Sequence, residues 1–171
     1  FCDRIAVVDD GHILEIDSND ELVNNPQSEA ALKLSGCKNT TPVIKADEHA
    51  VWAPKWGGRI ECEREVPDDV RFLGVRAFYL ERADGPGANN YRVRVDRISD
   101  SRFERSALLG FLDRDSSFAP AVERSDDEMR FLHQLLFWRI DKLKDGPEVW
   151  PEMGEELWVH LPQDRIYLVS R

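Results

Sequence analysis

The sequence predicts a mainly β protein, built as a barrel or a sandwich, with a β-hairpin and two short helices ahead of it. Asp10-Gly11 separates two short apolar runs, and this dipeptide accepts the positive φ angles of a tight hairpin turn. From residue 43 to the end, short β-type runs alternate with turn residues, which is typical of barrels and sandwiches. The composition, 42% hydrophobic and 33% charged, is ordinary for a folded globular chain.

The first elements follow from turn and capping chemistry. Strands are expected at 4–9 and 12–17, on either side of the Asp-Gly turn. Ser18 or Asn19 can cap a short helix that continues through residues 22 and 23, and acidic residues in its first turn suit the helix dipole. A second helix is expected at 27–35, with Gly36 as its stop.

A boundary is expected near residue 36, because residues 37–42 have the composition of a polar connector. Two exposed, mobile loops are predicted at 83–89 and 113–127. The stretch 128–144 fits either a helical face or a buried strand; strand through about 141 is preferred, followed by an irregular or helical piece around 148–153. The other candidate strands are 43–46, 49–53, 58–62, 70–81, 90–99, 104–113, 157–161 and 165–170.

Charge and composition exclude several classes of protein. A net charge of −10 argues against a nucleic-acid partner, since phosphates are held by clustered Lys and Arg. No apolar run approaches the roughly 20 residues of a membrane helix. Three widely spaced cysteines suit reduced thiols in the cytoplasm. The chain starts at Phe1 and its first Met is Met129, as expected for a piece of a longer protein.

The opening residues resemble a known family. The run CDRIAVVDDGHILE (2–15) resembles the strand pair that follows the switch histidine in ABC ATPases, and NDELVNNP (19–26) is similar to the helix after it. About 35 residues agree in order and spacing. The resemblance implies that residues 1–36 are the C-terminal remnant of an ABC ATPase domain.

Weaker matches continue along the rest of the chain. Residues 32–39 resemble the junction to the accessory domain of molybdate-type importers, and FLGVRA (72–77) resembles a motif of the transport-associated OB domain, called TOBE. The last two strands of that domain are similar to LWVHLP (157–162) and IYLV (166–169). The resemblance therefore implies an OB-like β-barrel regulatory domain at 37–171.

By this resemblance, the complete subunit would bind ATP and Mg, form a homodimer and act with permease subunits at the inner membrane. Its solute would be an oxyanion such as molybdate, tungstate or sulfate. The chain itself is expected not to be an enzyme. It lacks a Gly-rich phosphate loop ending in Gly-Lys-Ser/Thr, the family's signature motif, and the apolar strand that ends in catalytic acids. A purely structural dimerisation module without a ligand is the alternative.

Arg76 is the foremost candidate for a functional residue, because it lies in an otherwise apolar run where a charge needs a partner. It can pair with a nearby acid, or contact an interface or an oxyanion, which suits the forked guanidinium. Lys38, Asn39 and Thr40 are candidate further donors to the same ligand. No catalytic and no metal-binding residue is predicted, since the four histidines lack metal-ligand spacing.

Overall fold

The computed structural model describes residues 3–112 and 135–171. These residues form two α-helices, α1 (Asn19–Asn24) and α2 (Glu29–Leu34), and thirteen strands. The strands are β1 (Ile5–Asp9), β2 (His12–Asp17), β3 (Asn39–Pro42), β4 (Ile44–Asp47), β5 (Ala50–Ala53), β6 (Gly58–Glu61), β7 (Phe72–Val75), β8 (Glu81–Ala83), β9 (Asn90–Asp100), β10 (Glu104–Phe111), β11 (Leu135–Asp141), β12 (Glu156–His160) and β13 (Ile166–Val169). Three 3-10 turns lie at Ala77–Tyr79, Pro147–Val149 and Gln163–Arg165.

The strands form four antiparallel sheets. Five strands in the order β11-β10-β9-β12-β8 make the largest sheet, which curls into a half-barrel. Two three-stranded sheets, β13-β7-β3 and β4-β5-β6, complete the main body, and β1 and β2 form a separate two-stranded sheet. The prediction of a mainly β protein of barrel type is confirmed at this level.

One large core joins the half-barrel to both three-stranded sheets. It contains Trp56 and Ile60 from the β5–β6 region, Leu73 from β7, and Leu109 and Leu136 from the half-barrel. Alternation along the strands creates this core; Val93 and Val95, for example, point inward, whereas Arg92 and Arg94 are exposed. Residues far apart in sequence therefore share one apolar interior.

The hairpin and helices form a smaller unit with its own cluster of Val7, Leu22 and Ala31. The turn uses positive φ angles at Asp10 and Gly11, as the sequence predicts. Ser18 accepts a hydrogen bond from the Glu21 amide at 3.3 Å and thereby caps α1. A third cluster, of Leu32, Cys37 and Val169, connects this unit to the main body across the predicted boundary, whose position stays a prediction.

Two sequence predictions are wrong. Residues 37–42 are more than a polar connector, because Asn39–Pro42 is strand β3 and three of its four residues are buried. The expected single strand at 70–81 is interrupted: β7 ends at Val75, a 3-10 turn follows Arg76, and β8 begins at Glu81. The interruption directs the side chain of Arg76 away from the sheet and towards the two helices.

Other predictions have mixed outcomes. Strand structure over residues 135–141 is confirmed, and a 3-10 turn lies at the start of the predicted irregular piece. The loop at 83–89 is mostly exposed, although Asn89 is buried. Residues 113–134, which include the predicted loop at 113–127, lie outside the described residues. In the described part of the chain, neither helix has the length and apolar character needed to cross a membrane.

Candidate functional site

Arg76 lies where β7 ends, on the side of the main body that faces the helices. Its Nη2 donates to the carbonyl oxygen of Val23 at 2.8 Å and to Ser35 Oγ at 3.1 Å, and its Nη1 donates to the carbonyl oxygen of Ser35 at 3.0 Å. Its Nε donates to the Tyr167 hydroxyl at 3.3 Å, and the guanidinium stacks over that ring. Carbonyls at helix C-termini carry partial negative charge, so Arg76 binds the ends of both helices at once.

These contacts differ from the acidic partner considered for Arg76 from the sequence. In the described residues, the acceptors are two backbone carbonyls and two hydroxyls rather than carboxylates. A guanidinium has five N–H donors, and these contacts use four of them. Arg76 therefore functions as a clamp between the hairpin–helix unit and the main body.

The other predicted site residues do not converge on one ligand. Lys38 is exposed, whereas Asn39 and Thr40 are buried in β3. Asn39 Nδ2 donates to the carbonyl oxygen of Phe137 at 2.8 Å, and the Phe137 amide donates back to Asn39 Oδ1 at 2.6 Å. The side-chain amide of Asn39 thus makes the two hydrogen bonds that a neighbouring strand would make with the edge of β11. Asn39 and Thr40 lie opposite Val75 and Gly74 in the sheet, close in register to Arg76.

Glu15 connects the hairpin to the start of α2. Its carboxylate accepts hydrogen bonds from Ser28 Oγ at 2.8 Å and from the Gln27 amide at 3.0 Å, and Ser28 Oγ in turn caps α2 at the Ala31 amide. Burial raises the pKa of Glu15, and the two hydrogen bonds oppose that rise. This arrangement ties β2 to the N-terminal end of α2, whereas Arg76 binds the C-terminal end of that helix.

A second candidate site is a cavity of about 510 Å³ at the open side of the half-barrel. Its walls include residues of β8 and β11, the two edge strands of the five-stranded sheet. The Trp138 indole N–H donates to the carbonyl oxygen of Leu80 at 3.1 Å, so a side chain bridges the gap between these two edges of the sheet. We call this gap the seam. The cavity is lined by Phe78, Tyr79, Leu80, Glu81, Arg82, Trp138, Arg139, Ile140, Asp145, Val149, Pro162, Asp164 and Arg165.

Arginines and aromatic rings are paired around this cavity. Arg165 lies 4.6 Å from the ring centre of Tyr79, Arg139 lies 5.6 Å from that of Phe78, and Arg82 lies 5.9 Å from that of Trp138. Such stacking holds a guanidinium in place and leaves its N–H edges free to donate. Arg82 already donates to Glu155 at 2.7 Å, whereas Arg165 has no ion pair among residues 3–112 and 135–171.

Sequence reasoning missed this cavity, because its lining comes from four separate parts of the chain. The available signal was the one that drew attention to Arg76, namely an arginine within a β-type run. Arg139 shares that property, whereas Arg82 follows Glu81 and does not; the structure places both at the seam.

No family model matches the chain, and no curated protein matches it. The structure itself defines a mainly β protein whose largest sheet curls into a half-barrel. A hairpin–helix unit is clamped to its side, and a cavity of ligand size lies at its open seam.

Proposed function

We propose that this chain is the regulatory, accessory C-terminal part of the ATP-binding subunit of a bacterial ABC importer. Residues 1–36 would be the remnant of the ATPase domain, and residues 37–171 a TOBE domain of OB-like fold. The solute would be an oxyanion such as molybdate, tungstate or sulfate. ATP and Mg would bind elsewhere in the full subunit, which works with permease subunits at the cytoplasmic face of the inner membrane. This chain would contribute dimerisation and anion sensing, and no catalysis.

The observation that carries this proposal is the Arg76 clamp. The segment that resembles the ATPase is held to the β domain by a guanidinium that binds Val23 and Ser35, at the ends of the two helices. A regulatory domain must transmit its state to the domain it regulates through a defined contact. A rigid clamp of this kind is suited to such coupling, because movement of β7 would move both helices.

Dimerisation is supported by an exposed apolar face on the hairpin. Val8 is 57% exposed and Ile13 is 62% exposed; these two residues are paired in the hairpin, and Ala6 and Ile16 extend the same face. Large exposed apolar patches mark interaction surfaces. A second copy of the chain is the proposed partner for this face.

Sedimentation velocity from micromolar to high-micromolar concentration tests the dimer. The wild-type chain should sediment as a dimer, and Ile13→Glu should shift it to monomer. Phe103→Glu is the matched control, because Phe103 is 58% exposed and lies away from the hairpin. A wild-type chain that stays monomeric throughout contradicts the proposal.

Anion sensing is tested by calorimetric titration with molybdate, tungstate, sulfate and phosphate at low ionic strength. Because four of the five N–H donors of Arg76 are occupied, an oxyanion that accepts two hydrogen bonds there, with Lys38, Asn39 and Thr40 as further donors, would have to displace one of the present acceptors. Anion binding that Arg76→Ala abolishes would support a sensor. A dimer that gives no binding heat with any of the four anions would support the alternative, a structural dimerisation module without a ligand.

A further inference from the structure

The lining of the seam cavity is about half apolar and carries charges of both signs. Leu80, Trp138, Ile140, Val149 and Pro162 supply apolar surface. Three arginines and three carboxylates also line it, namely Arg82, Arg139, Arg165, Glu81, Asp145 and Asp164. A volume of about 510 Å³ falls within the usual range for small-molecule sites, roughly 300–1,000 Å³. The lining predicts a ligand that is apolar at one end and charged at the other.

Four of these charged groups are exposed, and they have no ion-pair partner among the described residues. In the described part of the chain, Arg165, Glu81, Asp145 and Asp164 form no salt bridge, and Arg139 has only a long contact of 3.7 Å with Glu104. Arg165 is nevertheless held in place by its stack on Tyr79. Both a cationic donor and anionic acceptors are therefore available to a ligand at the cavity.

The balance of charge selects the class of ligand. A simple anion would be attracted by the guanidinium groups but repelled by three carboxylates, and a simple cation would meet the opposite combination. A molecule that carries one group of each sign satisfies both sets of side chains. Since about half of the lining is apolar and includes the exposed ring of Phe78, the remainder of that molecule should be apolar.

We propose that the seam cavity binds a zwitterionic small molecule with an apolar body, of the class of the apolar α-amino acids. The carboxylate is assigned to Arg165, whose guanidinium stacks on Tyr79 and forms no salt bridge with residues 3–112 or 135–171. The ammonium group is assigned to Asp164. The two charges of an α-amino acid are attached to one carbon atom, so their partners must be close together, and Asp164 and Arg165 are neighbours in one 3-10 turn. The apolar side chain would lie against the ring of Phe78, which is 49% exposed at this cavity.

This inference does not depend on the proposed role in an importer, and it uses residues other than Arg76. Arg82 is assigned to the wall rather than to the ligand, because it already donates to the Glu155 carboxylate and to the carbonyl oxygen of Trp150. Its stack on Trp138 holds the guanidinium in that position.

Calorimetric titration of the full chain with L-leucine, L-phenylalanine and L-tryptophan tests the proposal, with two analogues of leucine as probes. N-acetyl-L-leucine lacks the ammonium charge and L-leucinamide lacks the carboxylate. We expect saturable binding of at least one amino acid, and binding at least about tenfold weaker for each analogue of leucine, or of whichever amino acid binds, because each loses a charged contact of about 1.4 kcal/mol or more.

Variants locate the binding. Arg165→Ala and the isosteric Asp164→Asn should each weaken binding about tenfold or more, whereas Arg92→Ala should not, because Arg92 is exposed and paired with Glu156 on β12. Thermal unfolding of each variant confirms that it is folded.

Flat titrations with all three amino acids overturn the inference, and so does binding that neither Arg165→Ala nor Asp164→Asn changes. Equal affinity for the N-acetyl analogue would overturn the zwitterion in favour of an organic acid. None of these outcomes bears on dimerisation or on the titrations with oxyanions.

Discussion

Asn39 and Phe137 exchange two hydrogen bonds although they are 98 positions apart in the chain. The side-chain amide of Asn39 supplies one donor and one acceptor, as a residue in a neighbouring strand would. Phe137 belongs to β11, an edge strand of the half-barrel, and edge strands carry backbone groups that need partners. The pair therefore joins β3 to the half-barrel without extending either sheet.

Asn39→Ala should destabilise the chain by about 2–3 kcal/mol, because it leaves the buried N–H and C=O of Phe137 without partners. Asn24→Ala is the matched control: Asn24 is exposed in the last turn of α1, and its replacement should change the free energy of unfolding by no more than about 0.5 kcal/mol. Urea unfolding measures both. Equal stabilities for the two variants would contradict a structural role for Asn39 and favour its predicted role in ligand binding.

Arg76→Lys should loosen the two helices without disrupting the main core. One ammonium group cannot reach the carbonyls of both Val23 and Ser35 while it also binds Tyr167, so we expect a loss of about 2 kcal/mol. Hydrogen exchange should accelerate in α1 and α2 more than in β9 and β10. Arg94→Lys is the control, because Arg94 is exposed and makes only a surface pair with Glu156. Uniform acceleration over the whole chain would show that Arg76 is not a local clamp.

Gly74→Ala should destabilise the docking of α2, because a Cβ at this position would lie 2.9 Å from Leu32 Cδ1 and 3.3 Å from Cys37 Sγ. Overpacking of this kind costs about 1–3 kcal/mol. Gly85→Ala serves as the control, since a Cβ there meets no atom within 4 Å and should be close to neutral. Thermal unfolding of the two variants measures the difference, and a Gly74→Ala chain as stable as wild type would exclude a close contact between α2 and β7.

The thiols of Cys37 and Cys62 should be inert in the folded protein. Burial raises the pKa of Cys37 to about 11 and that of Cys62 to about 12, so neither forms the reactive thiolate at neutral pH. In a Cys2→Ser background, a thiol reagent at pH 8 should react with them only after denaturant is added. Rapid modification of the native chain would contradict the burial of these residues.

The same pKa shifts predict the direction of a stability change. Unfolded thiols ionise near a pKa of about 8.5, whereas the folded thiols keep their protons up to about pH 11. The folded state therefore binds more protons in this interval, and the free energy of unfolding should fall as pH rises through it. Urea unfolding of Cys62→Ala should show a weaker loss over this interval than the wild-type chain does.

The hairpin and both helices were predictable because their signals are local. Asp10-Gly11 determines the turn, and Ser18 and Ser28 cap helices within a few residues. Strand β3 was missed for the opposite reason. Its side chains are polar, and the partner that makes burial of Asn39 acceptable is Phe137, which no local pattern reveals. Hydrophobic periodicity in a sequence indicates only where apolar residues are buried, so it cannot identify a buried polar strand.

The candidate sites show the same limit. An arginine in an apolar run drew attention to Arg76, but sequence spacing could not show that its acceptors include carbonyls at the helix ends. The seam cavity depends on how β8 and β11 approach each other after the sheet curls. Tertiary packing determines where these two edge strands lie, so the residues that line the cavity could not be identified from the sequence.

The surface that receives α2 is completed by residues near the other end of the described chain. Leu32 packs with Cys37 and Val169, the Glu29 amide donates to the carbonyl oxygen of Arg171 at 2.7 Å, and Tyr167 positions Arg76. On the ribosome, the hairpin and helices emerge before β13 is made. Leu32 of the hairpin–helix unit therefore stays uncovered until residues 166–169 have been synthesised. This interval is when a chaperone, or a neighbouring nascent chain, has access to it.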